Sequence, residues 1–301
     1  MKYIVYFLKV FSLILFIYLL SKANWILCFN YFKKLSLFNV LAALFIINFG
    51  YFLKTIRWKN ILSTLKIKEE ILILFKAFLI GGYLGLITPG KLGDFGRIYY
   101  LKKAGTSKQL LASLFVDRLN DLIVLILIGS IAILRLNRLF PNHFEVILNY
   151  KLIILILLFC IIGIVVFKKF QSFFREFYHL LKMSLSLKDN FYQIIITLFS
   201  MSFLYGSFIL IANDLKILIA PIDILFIAFI TGILNLLPIT ILGIGVREAS
   251  IIYLFNLYGV DYDISIAFSL IIFLIQITTL LPGAFWFYKN PISLNNNHLR
   301  K

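Results

Sequence analysis

GLITPGKLGDFGR, residues 85–97, is the stretch on which the reading of this chain turns. Gly85, four residues and then Gly90-Lys91 approach the spacing of a phosphate-binding loop. That motif needs Ser or Thr after the Lys to hold magnesium, and it follows a buried strand. Here Leu92 takes that place and a long apolar run precedes it. The spacing is therefore a coincidence, and an ATPase is set aside. What remains is a Pro-Gly break, with Asp94 and Arg97 just beyond it, in a very apolar neighbourhood.

The surroundings are apolar throughout. Of 301 residues 62% are hydrophobic and only 14% charged, and mean hydropathy is +0.99. Soluble domains are about a quarter charged, so this composition belongs in a membrane. The net charge of +17 does not indicate nucleic acid. Lys and Arg cluster between apolar runs, as membrane topology requires. Cys28 and Cys160, with His143, His179 and His298, form no metal-ligating spacing, and no cofactor is expected. The first apolar run is too long for a signal-peptide core and lacks a cleavage site. It reads as a retained helix.

Six segments satisfy the length of about 20 apolar residues needed to span a bilayer: 3–21, 38–56, 110–134, 151–167, 191–213 and 264–288. Two more, 71–101 and 224–258, are apolar but interrupted. The sequence thus predicts an all-α integral membrane protein with about six transmembrane helices plus two broken or re-entrant helical hairpins. Residues 1–290 form a single polytopic domain, with repeat halves about 38–134 and 191–288. Residues 291–301 form a short polar tail. With both termini in the cytoplasm, sixteen Lys and Arg fall on that side and seven outside. This favours the cytoplasmic membrane with that orientation. Arg57 is counted in the cytoplasmic group.

The second interrupted segment repeats the first. Pro89-Gly90-Lys91-Leu92-Gly93-Asp94-Phe95-Gly96-Arg97 and Pro238-Ile239-Thr240-Ile241-Leu242-Gly243-Ile244-Gly245-Val246-Arg247-Glu248 both contain Leu-Gly-x-x-x-Arg, 150 residues apart. The two copies predict an inverted repeat. Backbone that leaves the helix in a bilayer must be buried in protein or line a polar cavity. A half-helix starting after the break offers unpaired N–H groups, and Arg97 or Arg247 adds a full charge. Inverted-repeat transporters place substrate sites at such paired breaks, so a phosphate or carboxylate is the expected guest. A second role stays open: Asp94 with Arg97, and Arg247 with Glu248, as purely internal pairs. Early in the third full span, Asp117-Arg118-Leu119-Asn120-Asp121 puts Asp117 and Asp121 on one helix face. This cluster either balances an Arg of the breaks, carries a proton, or locks the fold.

Together PGKLGDFGR, SLFVDRLNDL (Ser113 to Leu122) and LPITILGIGVREASIIYLFNLYGV (Leu237 to Val260) resemble the lysylphosphatidylglycerol synthase transmembrane-region family, also called the flippase-like domain family. The resemblance runs from about residue 5 to 288. It puts the family's first block on Pro89, Gly90, Gly93, Asp94 and Arg97, its second on Asp117, Arg118 and Asp121, and its third on Gly243, Gly245, Arg247 and Glu248. Gly96 and Pro238 complete the breaks. In two-domain members this region precedes a soluble synthase domain and moves an aminoacylated lipid to the outer leaflet. No synthase domain is expected here, so aminoacyl transfer is not implied. What is implied is translocation of an anionic or lipid-linked cell-envelope precursor, without enzymatic activity. The partners implied are a membrane phospholipid or polyprenyl-linked lipid, and envelope-biosynthesis enzymes. Two alternatives stand beside it: a polyprenyl-phosphate-dependent glycosyltransferase, and a non-transporting scaffold. Members often carry an Arg in the final span, where this chain has Gln276.

Overall fold

The computed structural model describes residues 2–141, 179–181, 187–235 and 243–290. The expected span at 151–167 and Pro238 lie outside the described residues. Among those described, the elements are α1 (Lys2–Ser21), α2 (Trp25–Lys33), α3 (Leu37–Thr64), α4 (Ile71–Ile87), a 3-10 helix η1 (Pro89–Leu101), α5 (Ser107–Leu139), α6 (Leu187–Asp214), α7 (Pro221–Leu234), α8 (Val246–Leu257) and α9 (Tyr262–Lys289).

Four of these helices, α3, α5, α6 and α9, are long and apolar enough to cross a bilayer. The count rises to five if α1 and α2 form one bent span. α1 covers the expected first span at 3–21, and a bend follows it. Residues 12–21 turn through 88° into α2, where Asn24 Oδ1 caps the new helix by accepting from the Ile26 and Leu27 N–H groups. Trp25, Ile26 and Phe29 stay exposed on α2, in a stretch expected to be a loop.

The two interrupted segments are helical hairpins. At 1.5 Å per residue, α4, α7 and α8 reach only about 26, 21 and 18 Å, short of the ~30 Å hydrocarbon core. In the first hairpin η1 folds back along α4. The two approach so closely that a Cβ on Gly93 would collide with the Leu84 carbonyl. Thr88 closes the corner: its hydroxyl donates to the Leu84 carbonyl at 2.8 Å and accepts from the Gly93 N–H at 2.6 Å. Thirteen residues of 3-10 geometry is long for a conformation usually limited to three or four. The second hairpin restarts at Gly243 and Gly245, whose φ values of +73° and +88° favour residues without a Cβ.

The contacts around the two hairpins run in opposite directions. α3 and α6 are the first helix of each half. They pack antiparallel, with Asn39 against Asp214, Arg57 against Thr197, and Gly50 facing the Ser200 carbonyl between them. A Cβ added at Gly50 would lie 2.8 Å from that carbonyl, so backbone meets backbone at the crossing. The helix after each hairpin packs on the entering helix of the other: α9 on α4, and α5 on α7. The hairpins occupy opposite ends. Leu74, Phe78, Ile98 and Leu101 of the first share a core with Ile61 and Leu65 from the end of α3. Ile224, Ile227, Leu254 and Phe255 of the second share one with Ala43 and Ile47 from its beginning.

Candidate functional site

Seven charged residues of the described interior, Lys54, Arg57, Asp94, Arg97, Asp117, Arg118 and Asp121, gather in one network. A capping box at Thr106 and Gln109 fixes the start of α5. Asp117 and Asp121 then face inward three to four turns later, at 1% and 6% exposure. Asp117 is a bridge. Its Oδ1 accepts from Arg57 Nε at 2.9 Å and Nη2 at 2.5 Å, and its Oδ2 accepts from Arg97 Nη2 at 2.7 Å. Asp121 accepts from Arg57 Nη1 at 2.7 Å and from Lys54 Nζ at 2.9 Å. Arg118 donates to Asp94 on η1 and, at 3.4 Å, to Asp121. Arg97 also lies 3.5 Å from Asp94, the internal pair anticipated from sequence.

Arg97 is enclosed by the protein. Its guanidinium sits 4.2 Å above the Trp58 ring and 4.9 Å from that of Phe78, fully buried. Trp58 is itself held by its Nε1–H donating to Ser113 Oγ at 3.1 Å. A guanidinium stacked between aromatic faces is stabilised by their quadrupoles and stripped of water. Arg97 Nε and Nη1 have no partner, so Asp117 and Asp94 must carry its compensation.

The second break is arranged differently. Glu248 accepts from the Gly245 N–H at 2.7 Å, capping its own helix, and from Arg247 Nε at 3.0 Å. Ser269 donates to the same carboxylate at 3.4 Å, and Arg247 lies 4.3 Å over the Phe273 ring. The helix N-terminus expected to receive an anion is therefore met by the chain's own carboxylate, as Thr88 meets the first break. One backbone N–H at each break is thus occupied, which shifts attraction for an anion toward side chains.

A cavity of about 210 Å³ lies between the halves. From the first half it is lined by Tyr51, Lys54, Thr88, Asp94, Arg118 and Asp121. From the second come Tyr205, Thr231, Asn235, Gly243, Arg247 and Gln276. Of the binding residues singled out from sequence, Asp94, Arg118, Asp121 and Arg247 line it. Arg97, Asp117 and Glu248 are not among its lining residues: Arg97 and Glu248 pair with Asp94 and Arg247, which are, and Asp117 pairs with Arg57 and Arg97 behind them. Pro89 and Gly90 open η1, Gly93 makes the close approach, and Gly96 lies within η1.

Sequence reasoning placed Arg57 in a cytoplasmic loop, and this is corrected. α3 runs on to Thr64 and Arg57 is fully buried. The available signal was the stripe Tyr51, Lys54, Trp58, Ile61, which keeps helical spacing past residue 56. Asn235 and Thr231 were also missed, being uncharged in an apolar run.

The chain matches the family described as the lysylphosphatidylglycerol synthase TM region over residues 5–283. It is similar to a UPF0104 membrane protein of Methanocaldococcus jannaschii, 30% identical over 228 residues, or 68% of this chain and 93% of that relative. No solved structure matches it.

Proposed function

This chain belongs to the lysylphosphatidylglycerol synthase transmembrane-region family, and on that premise we propose that it translocates an anionic or lipid-linked cell-envelope precursor across the cytoplasmic membrane. The carrying observation is the cavity between the two broken segments, onto which Lys54, Arg118 and Arg247 all face. Cations in apolar membrane interior are costly and mark ligand paths. Here they come from three elements and both halves, around one space. Paired breaks in inverted repeats are where secondary transporters hold their substrates. The head of the precursor sits among these cations while its apolar tail stays in lipid. The positive-inside count supports a cytoplasmic position for both termini.

The test is transport in liposomes containing the purified chain and a fluorescent anionic phospholipid, with chemical quenching of the outer leaflet. The native chain should equilibrate the label between leaflets. Replacing both Lys54 and Arg118 by Gln should slow this by roughly tenfold or more, since each charge-assisted hydrogen bond contributes about 1.5–3 kcal/mol. Equal rates for variant and native chains would refute the site, and no equilibration of any anionic lipid would refute the function.

A further inference from the structure

α2 is tied to the bundle at both of its ends, and both ties lie at one level. At its start the Asn24 N–H donates to Asp263 Oδ1 at 2.8 Å, and Cys28 Sγ donates to the Asp263 carbonyl at 3.7 Å, in the first turn of α9. The Tyr262 hydroxyl holds the end of α1 beside them, donating to the Leu19 carbonyl at 2.6 Å. Just past the far end of α2, the Ser36 N–H donates to Asp214 Oδ2 at 2.9 Å, where α3 begins and α6 finishes. Phe208 near the end of α6 packs on Phe268 near the start of α9, so these helix ends share one side of the bundle. A nine-residue helix, about 14 Å long, that starts and finishes at that side runs along the membrane surface. It does not turn back into the core.

The two faces of α2 differ. Cys28 is buried, and Tyr31 and Phe32 on its side pack against the bundle. Trp25, Ile26 and Phe29 are exposed, Ile26 to 76%. Lys33 continues Trp25 and Phe29 at four-residue spacing, and Lys34 follows; both are exposed. Lys22 Nζ lies 4.7 Å over the Tyr18 ring and Lys34 Nζ 4.8 Å over the Tyr31 ring. Aromatic rings beside long cationic stems are what a headgroup layer selects. No Asp or Glu occurs before Glu69, and Asp263 and Asp214 at the ends of α2 are engaged with backbone N–H groups. On the positive-inside count, Lys22, Lys33 and Lys34 are three of the seven Lys and Arg on the sparse side. Topology alone gives no reason for that concentration.

We propose that α2 is an interfacial helix that gathers anionic phospholipids in the leaflet where α9 begins, the outer one on the positive-inside count. Trp25, Ile26 and Phe29 lie at the boundary of headgroups and acyl chains, about 5–10 Å deep as such helices do. Lys33 and Lys34 take the anionic heads. The site is separate from the cavity and needs no transport, so the inference stands or falls apart from the carrier reading.

The test uses the full chain in phosphatidylcholine bilayers. Trp25 fluorescence is read as the native signal minus that of Trp25→Phe. Brominated phosphatidylcholine should quench it, more strongly with bromine near the head end of the chain than near the methyl end, and aqueous iodide should quench it weakly. Brominated phosphatidylserine should be enriched around Trp25 over brominated phosphatidylcholine by roughly threefold or more, the effect of two surface lysines after screening. Replacing Lys33 and Lys34 together by Gln should bring that ratio to about 1, with the depth of Trp25 and the melting midpoint unchanged. Salt at about 1 M, which confines electrostatics to about 3 Å, should do the same to the native chain. Strong quenching by iodide with none by brominated lipid would overturn the proposal and leave this face to a soluble partner. Strongest quenching from the methyl end would overturn it by placing α2 in the core. A ratio unchanged in the double variant or in high salt would refute the recognition of anionic heads.

Discussion

Replacing Asp117 by Asn tests whether the buried network is what holds the first hairpin to the rest of the bundle. Asp117 is 1% exposed and joins two fully buried guanidinium groups. The loss differs between them. Arg57 keeps Asp121 at 2.7 Å and Thr197 at 2.6 Å. Arg97 keeps only Asp94 at 3.5 Å, with Nε and Nη1 already unpartnered. Breaking a buried pair from one side costs about 3–5 kcal/mol because a charge is stranded. Asn retains one acceptor oxygen, so about 4 kcal/mol is expected. At roughly 2–4 °C per kcal/mol for a chain of this order, the melting midpoint should fall by about 10 °C. The assay is thermal unfolding in detergent, followed by the fraction of monodisperse protein on size exclusion. Adding Arg97→Met removes the stranded cation, and the double variant should recover at least about 1 kcal/mol relative to additivity. A midpoint within about 2 °C of native, or strict additivity, would refute the reasoning.

Three further outcomes are expected. Gly93→Val should separate η1 from α4 because its Cβ meets the Leu84 carbonyl; overpacking of this kind costs about 1–3 kcal/mol, and a native-like midpoint would contradict it. Gly245→Ala combines a φ of +88° with a collision against the Ser12 carbonyl of α1. It should raise protease cleavage of α1 at an intact bundle, and an unchanged digest would count against that packing. Cysteines replacing Lys59, Lys66 and Lys103 should label with an impermeant thiol reagent from one side of sealed vesicles only, and those replacing Lys34 and Lys216 from the other. Mixed labelling within either group would contradict the topology.

Much of the fold was legible because the bilayer restricts what a sequence can be. Apolar length identified α3, α5, α6 and α9, and the Pro-Gly interruptions located both hairpins. The repeated Leu-Gly-x-x-x-Arg suggested inversion before any contact was known. Apolar length fails where a helix outruns the apolar run, and α3 does so by carrying Arg57 inward on an amphipathic extension. It also fails where an apolar helix bends sharply away from the one before it, as α2 does from α1. For the site, the types of charged residue were readable but their partners were not. Asp94, Arg97, Asp117 and Arg118 all stood out, yet only packing shows that Trp58 and Phe78 turn Arg97 away from the cavity. The symmetry of the motif suggested two equivalent arginines. Asp117 breaks it, because α5 presents a carboxylate to Arg97, whereas Arg247 finds its counter-charge on the adjacent residue.

The contact of Gly50 with the Ser200 carbonyl has a mechanical consequence. Gly50 carries no side chain, so α3 and α6 meet closely at their crossing with Leu204 packed beside it, and on the carrier reading the point acts as a fulcrum. On that reading the two helices hold equivalent places in oppositely directed halves, so this fulcrum lies where the halves exchange. Rocking about it leaves the crossing fixed and swaps the surroundings of the hairpins. On the carrier reading, the chain already displays both of its working shapes at once, one in each half. The hairpin pinned by Asp117 and the one whose arginine pairs with its own Glu248 are then templates for each other's position when the cavity opens to the opposite side.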